Sequence, residues 1–245
     1  NAPLVLRTNT LKISRSELMN ELAKSGCEVS PSALTPEGII CQSHPALNKL
    51  LPLQNGLAQV QDESSMLVAH VLDPQPNEFI IDTCSAPGGK TTHIAALMQN
   101  KGTIIAGDIY EHKLKLIKEN AERLGIDIIK TQLLDARKVG DLYPLKADRV
   151  LVDAPCSGLG VLRRKPDSRW NKTEELLGEL PPLQLEILHS AARAVKTGGV
   201  LVYSTCTIMP EENQQVIEAF LAARPDFMLD DVHKYLPFKH KSKTK

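Results

Sequence analysis

The 245-residue chain has no net charge: 29 Lys and Arg are balanced by 29 Asp and Glu. No global field therefore announces a polyanionic partner, and any basic surface must be local. No run approaches the ~18 apolar residues of a membrane span. No charged start leads into an apolar stretch, so a secretory signal is not expected. The five cysteines, Cys27, Cys41, Cys84, Cys156 and Cys206, include no C-x-x-C pair. That argues against zinc or a redox motif, so no metal is expected, and it favours free thiols in a reducing, cytoplasmic compartment. There is no internal repeat. The first residue is Asn1 rather than Met, which suggests a fragment or an engineered boundary. What is present is ordinary for a globular protein: 42% hydrophobic and 24% charged residues, enough for a real core and too apolar for disorder.

From about Ile80 onward short apolar runs alternate with helical patterns. Phe79 to Ile81, Thr103 to Ala106, Ile126 to Leu133, Arg149 to Val152 and Val200 to Tyr203 read as strands. Lys90 to Met98, Glu111 to Leu124, Leu183 to Val195 and Glu211 to Ala223 read as helices. Strands alternating with helices imply a parallel sheet covered on both faces, so the expected architecture is α/β, doubly wound and mostly parallel. Ahead of it, Leu4 to Leu6 and Gly38 to Cys41 look like strands and Arg15 to Ser25 like a helix, with turns at Ser30-Pro31, Thr35-Pro36 and His44-Pro45. Residues 1–55 are expected to form a small α+β appendage, a candidate RNA-binding unit, and 56–230 the main domain, with a basic tail over 231–245. A helix from Asp62, its plausible cap, to Leu72 leads into the sheet.

The first strand of that sheet runs into Asp82-Thr83-Cys84-Ser85-Ala86-Pro87-Gly88-Gly89-Lys90-Thr91 and then into a helix. A turn at this place lies at the switch point where open α/β sheets bind ligands. Adjacent glycines preceded by proline match neither a G-x-G-x-x-G dinucleotide loop nor a phosphate loop, so nucleotide phosphates are not the expected cargo. Asp108, Asp135 and Asp153 follow three successive strands. Any one of them could simply cap a helix. Together with the loop they suit a ligand carrying a sugar and a cationic centre, as S-adenosylmethionine does.

Cys156, in Asp153-Ala154-Pro155-Cys156-Ser157-Gly158, and Cys206, in Ser204-Thr205-Cys206, stand in polar loops at strand ends. Buried packing explains Cys27 and Cys41 well and these two poorly. With Gln61-Asp62-Glu63-Ser64-Ser65 and Pro87-Gly88-Gly89-Lys90, the segments resemble the RNA cytosine-5 methyltransferases of the Sun (Fmu)/Nop2 type over residues 4 to about 223. Gly160 to Trp170 looks most like the bacterial branch that acts on small-subunit ribosomal RNA. The resemblance implies an S-adenosylmethionine-dependent enzyme with a Rossmann-like methyltransferase fold. Cys84, Ser85, Ala86, Pro87, Gly88, Gly89, Lys90, Asp108, Asp135 and Asp153 would form its cofactor pocket. It also implies Cys206 as nucleophile and Cys156 as the thiol assisting product release; spacing alone does not rank them. Asp153 could hold the cytosine by its Watson–Crick edge, and the base must be single-stranded, looped or flipped.

Arg163, Arg164, Lys165 and Arg169, beside Trp170, are the densest basic cluster in the body of the chain and the candidate phosphate grip, with a solvated loop as the plainer reading. Arg7, Asn9 and Lys12 belong to the family-like start, and Lys239 to Lys245 to a solvated tail or a further RNA contact. Two departures from the pattern stand out: the helical RNA-binding domain usual ahead of Asn1, and a closing hairpin with a Gly-Phe-Phe-like segment after Phe227, are not found. The expected partner is ribosomal RNA and the expected state a monomer. A transfer-RNA enzyme, a DNA cytosine-5 methyltransferase using Cys156, and a non-catalytic ribosome-assembly module remain the alternatives.

Overall fold

The computed structural model describes residues 3–161 and 174–238. Its first sheet is antiparallel, in the order β2-β3-β1-β4, from β1 (Leu4–Thr8), β2 (Glu28–Pro31), β3 (Gly38–Ser43) and β4 (Ala58–Val60). The helix α1 (Arg15–Lys24) starts at a capping box formed by Ser14 and Glu17. It buries Leu18 and Leu22 against Leu6, Ile39 and Cys41, so Cys27 and Cys41 are core residues. The short α2 (Leu51–Gln54) closes this layer ahead of β4. Neither β2 nor β4 carries an apolar run, which is why pattern reading passes over both; β4 also lies beyond residue 55, the sequence-drawn end of the appendage.

The second sheet is wholly parallel, in the order β7-β6-β5-β8-β9: β5 (Phe79–Asp82), β6 (Thr103–Asp108), β7 (Ile129–Leu133), β8 (Ala147–Asp153) and β9 (Val195–Ser204). Successive side chains of a strand face opposite layers. Thus Ile80, Ile104 and Leu151 pack against Ala69 and Leu72 of α3 (Glu63–Leu72), Ile94 of α4 (Gly89–Leu97) and Leu124 of α5 (Glu111–Leu124). Ile81, Val150 and Val152 pack on the other side with Val139 of the short α6 (Val139–Leu142). The same layer holds Leu188 and Ala191 of α7 (Glu174–Ala194) and Val216 and Phe220 of α8 (Gln214–Ala223). The doubly wound sheet with an α+β appendage expected from the sequence is the observed architecture. Helix α7 differs in extent: it runs through Pro181 and Pro182, where the sequence suggests a boundary, because a continuous buried face through Gln184, Ile187, Leu188 and Ala191 holds it on the sheet. Among the described residues no helix is long and apolar enough to cross a membrane.

The two sheets are joined by buried polar contacts. Arg7 is 1% exposed. Its guanidinium donates to Gln61 Oε1, to the Gly89 carbonyl at 2.6 Å and to Thr92 Oγ1 at 2.9 Å. Asn9 Nδ2 donates to the carbonyls of Gly56 and Leu124, both at 2.8 Å, and Lys12 Nζ to those of Asn55 at 3.2 Å and Arg123 at 2.9 Å. Asn9 and Lys12 thus satisfy the last carbonyls of α5, where a helix leaves acceptors unpaired and welcomes positive charge. Beside Arg7, Glu37 Oε1 lies 2.9 Å from His70 Nε2 and 2.8 Å from His93 Nε2. Burial would raise the Glu37 carboxyl, but hydrogen bonds from both histidines outweigh it and hold it well below the usual range, while burial pushes His93 down to about 4. These three residues bring ligand-capable atoms within 4.8 Å of one another, yet the Arg7 charge, acting on Glu37 and His93, already balances the carboxylate and opposes a second cation.

Candidate active site

Parallel strands put all their carboxyl ends on one edge, so the loops after β5, β6, β8 and β9 converge. After β5, Ser85 N–H and Oγ both donate to the Gly107 carbonyl of β6, at 2.9 and 2.8 Å, and Gly88 N–H returns to Ser85 O at 2.7 Å. Gly88 adopts φ +99°, a backbone that favours glycine, and it caps α4 without any side chain. A Cβ at Gly89 would meet nothing within 4 Å, so the first turn of α4 faces open space with its unpaired N–H groups. Asp108, at the end of β6, accepts from Tyr110 N–H through Oδ1 at 3.0 Å, and its Oδ2 has no hydrogen bond among the described residues. Ile109 and Tyr110, both largely exposed, flank that carboxylate. A glycine-lined helix start, an acceptor for hydroxyls and an apolar face fit S-adenosylmethionine.

Two sequence-assigned residues are engaged by the protein itself. Cys84, partly exposed, packs against the core, and burial pushes its thiol up to about 12. Asp135 caps the 3-10 turn Ala136–Lys138 through Arg137 N–H at 3.0 Å and pairs with the Arg137 guanidinium at 2.7 to 3.1 Å, the capping role open to any one of the aspartates.

Asp82 lies beneath the loop, fully buried, with Oδ2 accepting from Thr91 Oγ1 at 2.7 Å and Oδ1 unpartnered. Burial raises its pKa from 3.8 to about 7, with Asp153 adding to the shift. A buried acid with a raised folded-state pKa stabilises most below its unfolded value, and that contribution declines as pH rises towards the folded value. Between pH 4 and 8 the parent should therefore lose about 4 kcal/mol through this group, at ~1.36 kcal/mol per pKa unit. Asp82→Asn should abolish that loss, so its stability relative to the parent should rise by this amount between pH 4 and 8. Denaturant unfolding at both pH values checks it, and a constant difference would show that Asp82 does not titrate there.

The two thiols meet because β8 and β9 are neighbours in register, Asp153 opposite Ser204. Ala154 N–H donates to Ser204 O at 2.9 Å, Gly160 N–H to Cys206 O at 3.0 Å, and Ser157 Oγ lies 2.7 Å from Thr207 Oγ1. A Cβ at Gly160 would stand 2.9 Å from that Cys206 oxygen, too close, so the approach of the loops requires glycine. Cys156 Sγ and Cys206 Sγ end 3.1 Å apart, and Cys206 N–H points at Cys156 Sγ at 3.3 Å. One proton between two sulfurs settles on one of them. The hydrogen bond from Cys156 lowers Cys206 to about 7, against burial and with help from Lys90, while the same contact and burial push Cys156 up. Lys90 Nζ sits 2.7 Å from Asp153 Oδ2, and Ser204 Oγ donates to Asp153 Oδ1 at 2.7 Å. Lys90 and Asp153 thus link the glycine loop to the end of β9, next to the thiols. A cavity of about 880 Å³ lies elsewhere, along the outer edge of β9 beside Phe227 and Met228; the thiols, Cys206 exposed and Cys156 partly so, open onto a surface suited to a large substrate. Arg163, Arg164, Lys165, Arg169 and Trp170, and the tail Lys239 to Lys245, lie outside the described residues.

Residues 69–244 match the family described as 16S rRNA methyltransferase RsmB/F, and residues 1–47 match the RsmF/B-like ferredoxin-like domain. The chain belongs to the RsmB/F family. It is 47% identical over 242 residues to the probable ribosomal RNA small subunit methyltransferase B of Bacillus subtilis, covering 96% of this chain and 53% of that protein. A methyltransferase homolog from Pyrococcus horikoshii is 34% identical with a TM-score of 0.81, covering 91% of this chain and 70% of the other. NSun6 from the same organism, solved with SFG, is 29% identical with a TM-score of 0.83, over 90% and 80%. The chain spans about half the length of the curated relatives it matches. Membership of the family accounts for both sheets, the ferredoxin-like appendage as well as the methyltransferase body.

Proposed function

We propose that the chain transfers a methyl group from S-adenosylmethionine to carbon 5 of a cytosine in RNA, with small-subunit ribosomal RNA as substrate, in the cytoplasm. The observation that carries this reading is the pair of thiols 3.1 Å apart on an exposed face, beside a glycine loop fit for the cofactor. Family membership supports the substrate class. The cofactor supplies an electrophilic methyl on a sulfonium; the rest of the chemistry falls to the chain. The Cys206 thiolate forms a bond from Sγ to carbon 6, and the ring electrons shift to make carbon 5 nucleophilic. Asp153, held by Lys90 and Ser204, is placed to bind the cytosine's Watson–Crick edge and favour that shift. Once carbon 5 carries the methyl, a base takes its proton, the C–H electrons restore the double bond, and the Sγ–C6 bond breaks with its pair returning to Cys206. The Cys156 thiol, held protonated beside that sulfur, receives the departing thiolate as a hydrogen-bond donor. Arg163, Arg164, Lys165 and Arg169 are the proposed phosphate contacts.

The test is methyl transfer from labelled cofactor to 16S ribosomal RNA, with transfer RNA and a cytosine-bearing DNA duplex alongside. Label on carbon 5 of cytosine in the ribosomal RNA is the expected result. Preference for DNA or transfer RNA would replace the substrate, and cofactor binding without transfer to any of them would favour an assembly role. Asp108→Ala should weaken cofactor binding by about 1.5–3 kcal/mol, the worth of hydrogen bonds to a charged acceptor. Titration calorimetry showing parental affinity would remove Asp108 from the site.

A further inference from the structure

The loop that carries Cys206 ends in two adjacent residues that sequence reading left inside a helix, Glu212 and Asn213. Glu212 is 1% exposed and closes the 3-10 turn Pro210–Glu212. Its Oε2 accepts from Ser157 N–H and from Gln184 Nε2, each at 2.9 Å. Gln184, fully buried on α7, also donates from Nε2 to the Pro155 carbonyl at 2.9 Å. Pro155 and Ser157 are the two neighbours of Cys156, so both sides of that thiol are tied to one carboxylate. Asn213 turns the other way: its Oδ1 accepts from Thr205 Oγ1 at 2.6 Å, and its Nδ2 donates to the carbonyls of Thr207 at 3.2 Å and Met209 at 2.9 Å. Thr205 and Thr207 are the two neighbours of Cys206. The Glu212 carbonyl accepts from Tyr203 Oη at 2.8 Å, anchoring the pair to the end of β9.

We propose that Glu212 and Asn213 are paired positioning residues, Glu212 for the Cys156 loop and Asn213 for the Cys206 loop, which together set the distance between the sulfurs and so separate attack from release. A burial-only role does not call for this arrangement: a buried carboxylate is costly, and it is tolerated where its hydrogen bonds fix a geometry. Gly160 and the Ser157–Thr207 contact bring the loops together, and Glu212 and Asn213 fix the register in which they meet.

The inference rests on the proposed roles of the thiols, and the experiment separates the two. Single-turnover reactions with the RNA and cofactor follow formation and decay of the covalent protein–RNA adduct. At about pH 9, where the Cys206 thiolate forms without help from Cys156, Glu212→Ala should slow adduct decay more than tenfold while leaving its formation within about threefold; Asn213→Ala should do the reverse and raise the pH midpoint of attack, with cofactor affinity preserved in both. Glu212→Gln, which keeps an acceptor oxygen, should restore decay. Should Glu212→Ala fail to fold, Glu212→Asp, which withdraws the carboxylate by one methylene, should show the slow decay instead. Parallel losses of attack, release and cofactor affinity in both variants would overturn the proposal in favour of a purely structural role. Cys156→Ala on the same preparations tells the two failures apart. If it traps an adduct and the Glu212 variants do not, the positioning role is wrong. If it traps none, the assignment of Cys156 falls and the proposal with it.

Discussion

Cys206→Ser is expected to lose methyl transfer on the order of 10⁶-fold, the scale on which deleting the nucleophile of a covalent enzyme acts, and to form no adduct with RNA. A hydroxyl is far less ionised than a thiol near neutral pH, and it gains little from the contacts that lower Cys206 to about 7. Cys156→Ala should behave differently in kind. It removes the hydrogen bond that holds Cys206 low, so the thiolate fraction at pH 7 should fall roughly tenfold as the pKa returns towards its free value near 8.5. Attack should recover as pH is raised past that value, because the ionised form is the reactive one. Release, which needs the donor beside the departing sulfur, should not recover with pH. A cofactor-dependent adduct that survives denaturing electrophoresis should therefore accumulate in Cys156→Ala and grow from pH 7 to 9. An adduct in Cys206→Ser and none in Cys156→Ala would make Cys156 the nucleophile.

That the thiols converge was legible only in part. Both stand after strands of a parallel sheet, which puts them on one edge, but nothing in the order of residues says that β8 and β9 are neighbours in register. The strand order is set by which helices cover which face, a property of the packed core. Glu212 and Gln184 stayed hidden for the same reason, since their partners are remote in sequence, while Asn213 bonds within its own loop, which a helical pattern conceals. Asp108 and Asp153 could be singled out because each stands at a strand end, on the edge where the loops converge. Asp135, equally well positioned, turned to Arg137, two residues on, an outcome decided by one local basic side chain. The segment from Arg7 to Lys12 was visible but silent as to its role. The sequence marks its residues as family-like without giving them a role; Arg7 and Asn9 are buried between the sheets, because the α5 carbonyls and the Gly89 carbonyl need donors that the apolar surroundings do not offer.

Arg7→Ala should accordingly be among the most damaging substitutions outside the thiols. Its guanidinium spans the joint, from β1 to Gln61 and on to Gly89 and Thr92 in the first turn of α4, and Glu37 is the carboxylate whose charge supports it. Burial lowers its pKa to about 9, still above neutrality, so the charge persists at pH 7 and Glu37 depends on it. Deleting one partner of a buried, hydrogen-bonded charge network typically costs about 3–5 kcal/mol, since the other charge and its acceptors are left dry and unpaired. For a chain of this size each kcal/mol corresponds to roughly 2–4 °C, so the melting temperature should fall by roughly 6–20 °C. Arg7→Lys should recover little of this, because one ammonium cannot reproduce the planar fork that reaches Gln61, Gly89 and Thr92 together. The loss should also reach the cofactor: the Gly89 carbonyl that Arg7 holds belongs to the loop facing the proposed S-adenosylmethionine site, so affinity should weaken although Arg7 does not touch that space. Calorimetric melting and cofactor titration of the same variant decide the matter. A melting temperature within about 2 °C of the parent's, less than 1 kcal/mol on that scale, would mean that the two sheets are held by their apolar contacts and that Arg7 is dispensable to the joint.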